Sequence, residues 1–190
     1  MKKAFTILEI SILSVILIIV ACLVIPFSID DTKQAAYILE WRALQDRINH
    51  AFTAAKVDGE TDNIDIEKYI MQSISDGNYK AIQPYSIKYM NGRQASGIGN
   101  FETVYKVGED NSLGFKWNNA PNSLSGIMFY DINGTQPPNR WGKDVFGINI
   151  DNGIVTPLCA GKSHSEIKED CSKQGTGCCC SYYYLVGGKF

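Results

Sequence analysis

Histidine is scarce in this chain, and clustered basic residues are absent. The only two histidines of the 190 residues, His50 and His164, have no visible partners for a catalytic triad. Neither a G-x-S-x-G nucleophile motif nor a P-loop occurs, and Gly97-Ile98-Gly99 alone does not cradle a phosphate. Nothing here carries nucleophilic or phosphoryl-transfer chemistry, so the chain reads as a non-enzyme. Its formal charge is −2, and removing Lys2 and Lys3 would make it more negative still. With no basic run to neutralise phosphates, no nucleic-acid partner is expected. Internal repeats and low-complexity linkers are also missing, and the length fits one domain beyond the N-terminal segment.

What is present begins at the N-terminus. Lys2 and Lys3 precede an apolar run from Ile10 to Phe27, and Asp30 and Asp31 follow it. The run is long enough for a spanning helix, which needs roughly 17–25 apolar residues. The positive-inside rule then leaves the N-terminus cytoplasmic and everything after Phe27 outside the cytoplasm. A cleaved secretory signal would need a small-residue site at the end of the run, and Pro26-Phe27-Ser28 is a poor one. Ile19-Val20-Ala21-Cys22 is an acceptable lipobox, which makes a lipid-anchored envelope binding protein the alternative. Against it stand Glu9, unexpected in such a signal, and the apolar Leu23-Val24-Ile25 after Cys22.

A carboxylate kept beside so much apolar sequence usually has a partner, since burying one mid-helix costs about 2.5–3.5 kcal/mol even on lenient scales. Lys2-Lys3-Ala4 followed by Phe5-Thr6-Ile7-Leu8-Glu9 resembles the N-terminal signal of type IV pilins and type II secretion pseudopilins. The resemblance implies cleavage between Ala4 and Phe5 by a membrane-bound prepilin peptidase, with methylation of the new Phe5 amine. Most of the family has Gly rather than Ala before the cut. Pro26 matches the family's helix-kinking proline. By the same resemblance Glu9 would pair with the Phe5 amine of a neighbouring subunit, setting filament register because a wrong offset buries both charges unpaired.

The resemblance further implies a single-pass inner-membrane precursor, its head periplasmic, that is extracted by an inner-membrane assembly platform. It would then co-polymerise with copies of itself or other pilins into a periplasmic or extracellular filament. Its partners would be those proteins and membrane lipid. Pilus and secretion pseudopilus, major and minor subunit, are not distinguished, and adhesion, twitching, secretion and DNA uptake all stay open.

Between Phe27 and Val57 there is neither Gly nor Pro, and Tyr37, Trp41, Leu44, Ile48, Ala51 and Ala55 recur with helical spacing. A helix unbroken from Phe5 to Lys56 would be about 78 Å long at 1.5 Å per residue, stopped by Asp58-Gly59. A second helix is predicted from Asn63 to Ser75, with Ile66, Ile70, Met71 and Ile74 on one side. Strands are predicted at Tyr85–Met90, Glu102–Val107, Gly126–Ile132 and Tyr182–Val186, with a hairpin joining Phe146–Ile150 to Ile154–Pro157 through Asp151-Asn152-Gly153. The expected fold is α+β: a long N-terminal helix, its apolar half in the membrane, packed on a mostly antiparallel sheet. The divisions are a leader at 1–4, an apolar helical half at 5–27, an amphipathic half at 28–58 and a head at 59–190.

The stretch from Asp131 to Phe146 is similar to a segment common in pilin-like heads, D-x-N-G…P-N…G-x-D-x-F. Asp131, Asn133, Asn139 and Asp144 offer oxygens that could converge on calcium, which takes six to eight of them. Pseudopilins do bind calcium in a head loop, although this segment lacks the EF-hand order of ligands. Turn chemistry is the competing reading, with Asp144 bonding backbone amides. Asn133-Gly134-Thr135 also fits a glycosylation sequon.

Of six cysteines, Cys22 lies in the apolar run and the others, Cys159, Cys171, Cys178, Cys179 and Cys180, crowd near the C-terminus. Outside the cytoplasm such crowding reads as disulfides. Neighbouring cysteines seldom bridge each other, so Cys159 and Cys171 should each reach into the Cys178-Cys179-Cys180 cluster, leaving one thiol. A zinc site using His164 with three cysteines lacks a C-x-x-C pair. The polar segment Ala160–Asp170 would correspond to the exposed, disulfide-bounded loop of many pilins.

Overall fold

In a computed structural model of the chain, the described residues are 7–59, 63–75, 77–118 and 124–189, and side chains at 23–30, 63 and 64 are not among them. The fold is mixed α+β. Helix α1 (Ile7–Val57) runs for 51 residues and α2 (Asn63–Ser75) follows. Strands β1 (Tyr79–Ile82), β2 (Thr103–Val107), β3 (Asn111–Trp117), β4 (Gly126–Asp131), β5 (Val145–Asp151) and β6 (Ile154–Pro157) come next, then short helices α3 (His164–Asp170) and α4 (Cys180–Tyr183). The strands form one six-stranded antiparallel sheet in sequence order. The chain divides into two compact units, one holding Met1–Ala36 and the other Tyr37–Lys189.

In the first unit, the large apolar side chains from Ile7 to Val20 are all exposed, Ile7 at 88% and even Val20 at 49%. Ser11 and Ser14 donate their hydroxyls back to the carbonyls of Leu8 and Ile10. Among the described residues no helix is long and apolar enough to cross a membrane. Of the Ile10–Phe27 run, side chains are described through residue 22, and residues 7–22 rise about 24 Å at 1.5 Å each, against a hydrocarbon core of about 30 Å.

In the second unit, α1 buries the predicted stripe, with Trp41, Leu44, Ile48, Ala51 and Ala55 all inaccessible or nearly so. Ile38 and Phe52 extend that stripe and Tyr37 packs at its edge. The helix ends where the sequence stops it: Gly59 takes φ +82° and its N–H reaches the Lys56 carbonyl. Helix α2 buries Ile66, Ile70, Met71 and Ile74 as expected. Glu67 is buried beside them, and its carboxylate accepts bonds from Trp117 Nε1 (2.5 Å), Tyr105 Oη (2.9 Å) and Thr103 Oγ1 (3.2 Å). These bonds tie α2 to β2 and β3.

The sheet alternates as its pleat requires. Leu113, Phe115, Met128, Tyr130, Phe146, Ile148 and Ile150 pack with the helices, while Val104, Ile127, Phe129 and Val145 face the other way. That second face is covered by the long β1–β2 connection, which contributes Tyr85, Ile87, Ala95 and Phe101. The β5–β6 hairpin turns as predicted on Asn152 (φ +48°) and Gly153 (φ +69°), the signature of a type I′ turn.

Two predicted strands are corrected. Tyr85–Met90 is a loop with isolated bridges from Lys88 to Gln94 and to Arg140. Its β-forming residues serve as a lid on the outer core, bonded to other loops and outside the sheet. Tyr182–Val186 is not extended either. The chain turns through α4, where Tyr183 and Tyr184 N–H groups reach the carbonyls of Cys179 and Cys180.

Candidate functional site

The residues singled out by sequence fall in three places. At the N-terminus, Ala4 and Phe5 lie outside the described residues, Glu9 sits in the first turn of α1, and the backbone of Pro26 lies within α1 while its side chain is not described. Cys22 is an exposed free cysteine on the same helix.

The C-terminal cysteines form a built structure. Cys159 bonds Cys179 and Cys171 bonds Cys180, with Cα separations of 5.0 and 4.9 Å. This is the anticipated pattern, in which each distant cysteine reaches into the cluster. Cys178 remains a free thiol, buried on the outer face of the sheet, and burial pushes its pKa up to about 12. Such a thiol is inert, because the thiolate is the reactive form.

Asp170 organises the knot. Its Oδ1 accepts from the Thr176 N–H (3.0 Å) and hydroxyl (2.5 Å), and Oδ2 accepts from the Cys179 N–H (2.8 Å). Asp170 lies against the Cys159 and Cys179 sulfurs, but these are bonded to each other and offer no thiolate to a metal. The same bonding takes from a zinc set all but one of the C-terminal sulfurs. His164 heads α3, its ring 6.2 Å from that of Tyr183. Between these cysteines the expected loop is partly helical: Ser163 and Glu166 form a reciprocal capping box, and only Ile167 of α3 is buried.

Helix α1 holds this C-terminal structure directly. Trp41 Nε1 donates to the Ser181 carbonyl at 2.9 Å, and the Arg42 guanidinium donates to the Tyr184 carbonyl at 2.6 and 2.9 Å. Ser181 Oγ in turn accepts from the Gly147 N–H of β5 at 2.8 Å. Sequence reading missed Arg42 and Ser181 as anchors, because nothing local marks an acceptor some 140 residues from its donor, and it missed Asp170, whose partners Thr176 and Cys179 lie six and nine residues on.

The third place is the loop from Asp131 to Asp144, which does bring its four oxygen-bearing residues together. Asp144 Oδ1 and Oδ2 accept the N–H groups of Arg140 (2.7 Å) and Asn139 (2.9 Å). Asp131 accepts from the Asn133 N–H (3.3 Å) and from Tyr85 Oη (2.8 Å), and that hydroxyl also meets Ser112. Both carboxyls are fully buried. Burial, with the nearby Asp144 charge second, pushes the Asp131 pKa up to about 9, so it keeps its proton at neutral pH. Burial also raises Asp144, opposed by its amide bonds. The carboxylate oxygens of Asp131 and Asp144 are thus engaged in turn chemistry, whereas Asn133 Oδ1 is buried without a hydrogen-bond partner. Asn133 is half-buried with its Nδ2 donating to the Pro137 carbonyl, which leaves the sequon poorly presented.

Comparison with protein-family models, with characterised proteins and with solved structures finds no match for this chain.

Proposed function

We propose that the chain is a pilin-like structural subunit of a type IV pilus or type II secretion pseudopilus, processed by a prepilin peptidase and polymerised through its N-terminal helix. One observation carries the reading. An apolar helical surface exposed on every side from Ile7 to Val20 begins within the Lys-Lys-Ala-Phe-Thr-Ile-Leu-Glu signal and continues past it. Such a surface has to be buried by a bilayer or by other helices, because isolated apolar faces of that extent do not persist in water. The back-bonded Ser11 and Ser14 suit either environment, since their hydroxyls need no water. A long helix backing a single antiparallel sheet, with a disulfide-bounded C-terminal segment, agrees with the same resemblance.

In this reading the precursor sits in the inner membrane with its head outside the cytoplasm, and an assembly platform extracts it into the filament. Exposed Cys22 keeps a lipid-anchored binding protein as the second reading. Mass spectrometry of the mature N-terminus, from cells with and without prepilin peptidase, separates the two. A chain starting at methylated Phe5 only when the peptidase is present is the expected result. One starting at lipidated Cys22 would discard the filament.

A further inference from the structure

Two disulfides consume four of the five C-terminal cysteines and leave Cys178. The bonded pairs are separated by 20 and 9 residues. Exchanging Cys178, Cys179 and Cys180 as the partners of Cys159 and Cys171 alters either separation by two residues at most. Closure entropy varies only with the logarithm of loop length, so an unfolded chain scarcely distinguishes these pairings. Oxidation ahead of folding therefore yields a mixture of bridges, most of them wrong.

The fold does distinguish them. Cys178 is buried in the outer core, which holds Trp141 and Val145, whereas Cys180 is buried in the core beneath the helices, which holds Trp41 and Tyr184. Cys179 stands between them, its N–H on Asp170 Oδ2 at 2.8 Å. Three successive cysteines thus have three different surroundings. A bridge to Cys178 in place of Cys179 or Cys180 would draw it out of the outer core, so native packing selects the two bonds observed.

We propose that the fifth cysteine serves the chain as its own exchange thiol: it resolves mispaired bridges during folding, and the free position comes to rest at Cys178, where burial ends the exchange. Because the number of C-terminal cysteines is odd, every isomer with two bridges still holds one thiol close to them in sequence. In each step that thiolate attacks a sulfur of a wrong bridge. One S–S bond forms and one breaks, and the displaced cysteine leaves as a thiolate that takes up the proton the attacker gave up. The exchange consumes no electrons. Only the first formation of bridges needs an oxidant, a disulfide donor or its equivalent that accepts two electrons and two protons for each bond. In an unfolded isomer the thiol keeps its ordinary acidity, and roughly a few per cent is thiolate at pH 7. In the folded chain Cys178 is 7% exposed, and burial raises its pKa to about 12, which removes the nucleophile. The same burial denies Cys178 to a bridge between subunits.

The test uses the full chain in uncharged detergent micelles, carrying Cys22→Ser so that no thiol from α1 takes part. The reduced chain is oxidised in urea with enough diamide for two bridges, then diluted from urea without added thiol. Acid quenching at intervals and peptide mass spectrometry map the bridges. This parent should sort itself to Cys159–Cys179 and Cys171–Cys180. Adding Cys178→Ser or Cys178→Ala leaves four cysteines, whose fully bridged isomers have no thiol, and sorting should slow at least about tenfold. Reduced glutathione should restore it in both. The proposal is overturned if the parent stays scrambled, or if either variant sorts as fast as the parent without added thiol. Failure of both variants to reach the native pairs even with glutathione also overturns it, since Cys178 would then be needed for packing and not for exchange. Rapid alkylation of Cys178 in the native chain at neutral pH would overturn the step in which burial ends the exchange.

Discussion

Trp41, at the centre of the buried face of α1, donates its indole N–H to the carbonyl of Ser181 at 2.9 Å, across 140 residues of sequence. Its ring stacks on Phe146 of β5 at a centroid distance of 5.3 Å, and Phe146 meets Tyr184 edge-on. Helix, sheet and C-terminal turn thus converge on one residue. Helix α4 is only four residues long and would not hold its shape alone. It is held from one side by α1 and from the other by two disulfides.

Opening the Cys171–Cys180 bond should therefore loosen the contact with Trp41 as well as the C-terminal loop. Cys171→Ser/Cys180→Ser is expected to cost about 3 kcal/mol, the scale for short closed loops. Urea denaturation checks the loss. Tryptophan fluorescence of the native variant should shift to the red if Ser181 withdraws from the indole.

Glu67 makes a second prediction, from hydrogen bonding alone. Its carboxylate serves Trp117, Tyr105 and Thr103, and burial, with this carboxylate second, raises the Tyr105 pKa to about 12. Glu67→Ala would strand buried donors, at about 1–3 kcal/mol for each one left unsatisfied. Glu67→Gln retains one acceptor oxygen and should cost less. Paired chemical denaturation of the two variants distinguishes lost bonds from lost packing.

Asp131 gives the pH dependence. Its folded pKa of about 9 lies above the ordinary 3.8. Its contribution to stability is therefore fully present below about pH 4 and is lost as pH rises through 9. Asp131→Asn keeps the shape and removes the titration. The variant should melt higher than wild type at pH 8 and close to it at pH 4. The same melts bear on calcium: a protonated Asp131 and an amide-bonded Asp144 predict that chelation leaves the wild-type melting temperature unchanged at neutral pH.

Gly114 tests the outer core. It sits opposite Phe129 in the β3–β4 register, and a Cβ built on it would lie 2.0 Å from the Phe129 ring. The ring cannot easily retreat, because Phe101 packs against it at a centroid distance of 4.2 Å. Gly114→Ala should cost about 1–3 kcal/mol by overpacking, read as a lower denaturation midpoint with an unchanged slope.

Gly114 also shows why parts of the fold were not legible in sequence. In β3 it interrupts a run that would otherwise alternate clearly, and its reason for being there is a ring on the next strand. Strand β1 is four residues long and exposes Lys80 and Ala81, so no alternation marks it. The two long helices were legible to within a few residues because their stripes are local, and the β5–β6 hairpin because Asn152-Gly153 names its own turn. The tyrosine-rich C-terminus misled for the opposite reason. Its β propensity is overridden by two neighbouring cysteines tied to different partners. For the Asp131 loop the sequence located the right oxygens but not their protons.

Glu9 carries the decisive assembly prediction. It stands in the first turn of α1 among exposed apolar side chains, so burial of that surface in a filament would bury the carboxylate with it. If it then meets the methylated amine of Phe5 from a neighbour, Glu9→Ala leaves that amine unpaired in an apolar core, at roughly 3–5 kcal/mol per contact. Repeated at every subunit, such a cost would remove the variant from sheared filaments while leaving it processed and held in the membrane. Glu9→Asp, with the charge kept but withdrawn by one methylene, should be incorporated at an intermediate level. Quantitative immunoblots of filament and membrane fractions measure all three. Equal incorporation of the alanine variant would mean that register is set elsewhere, by the apolar surface alone.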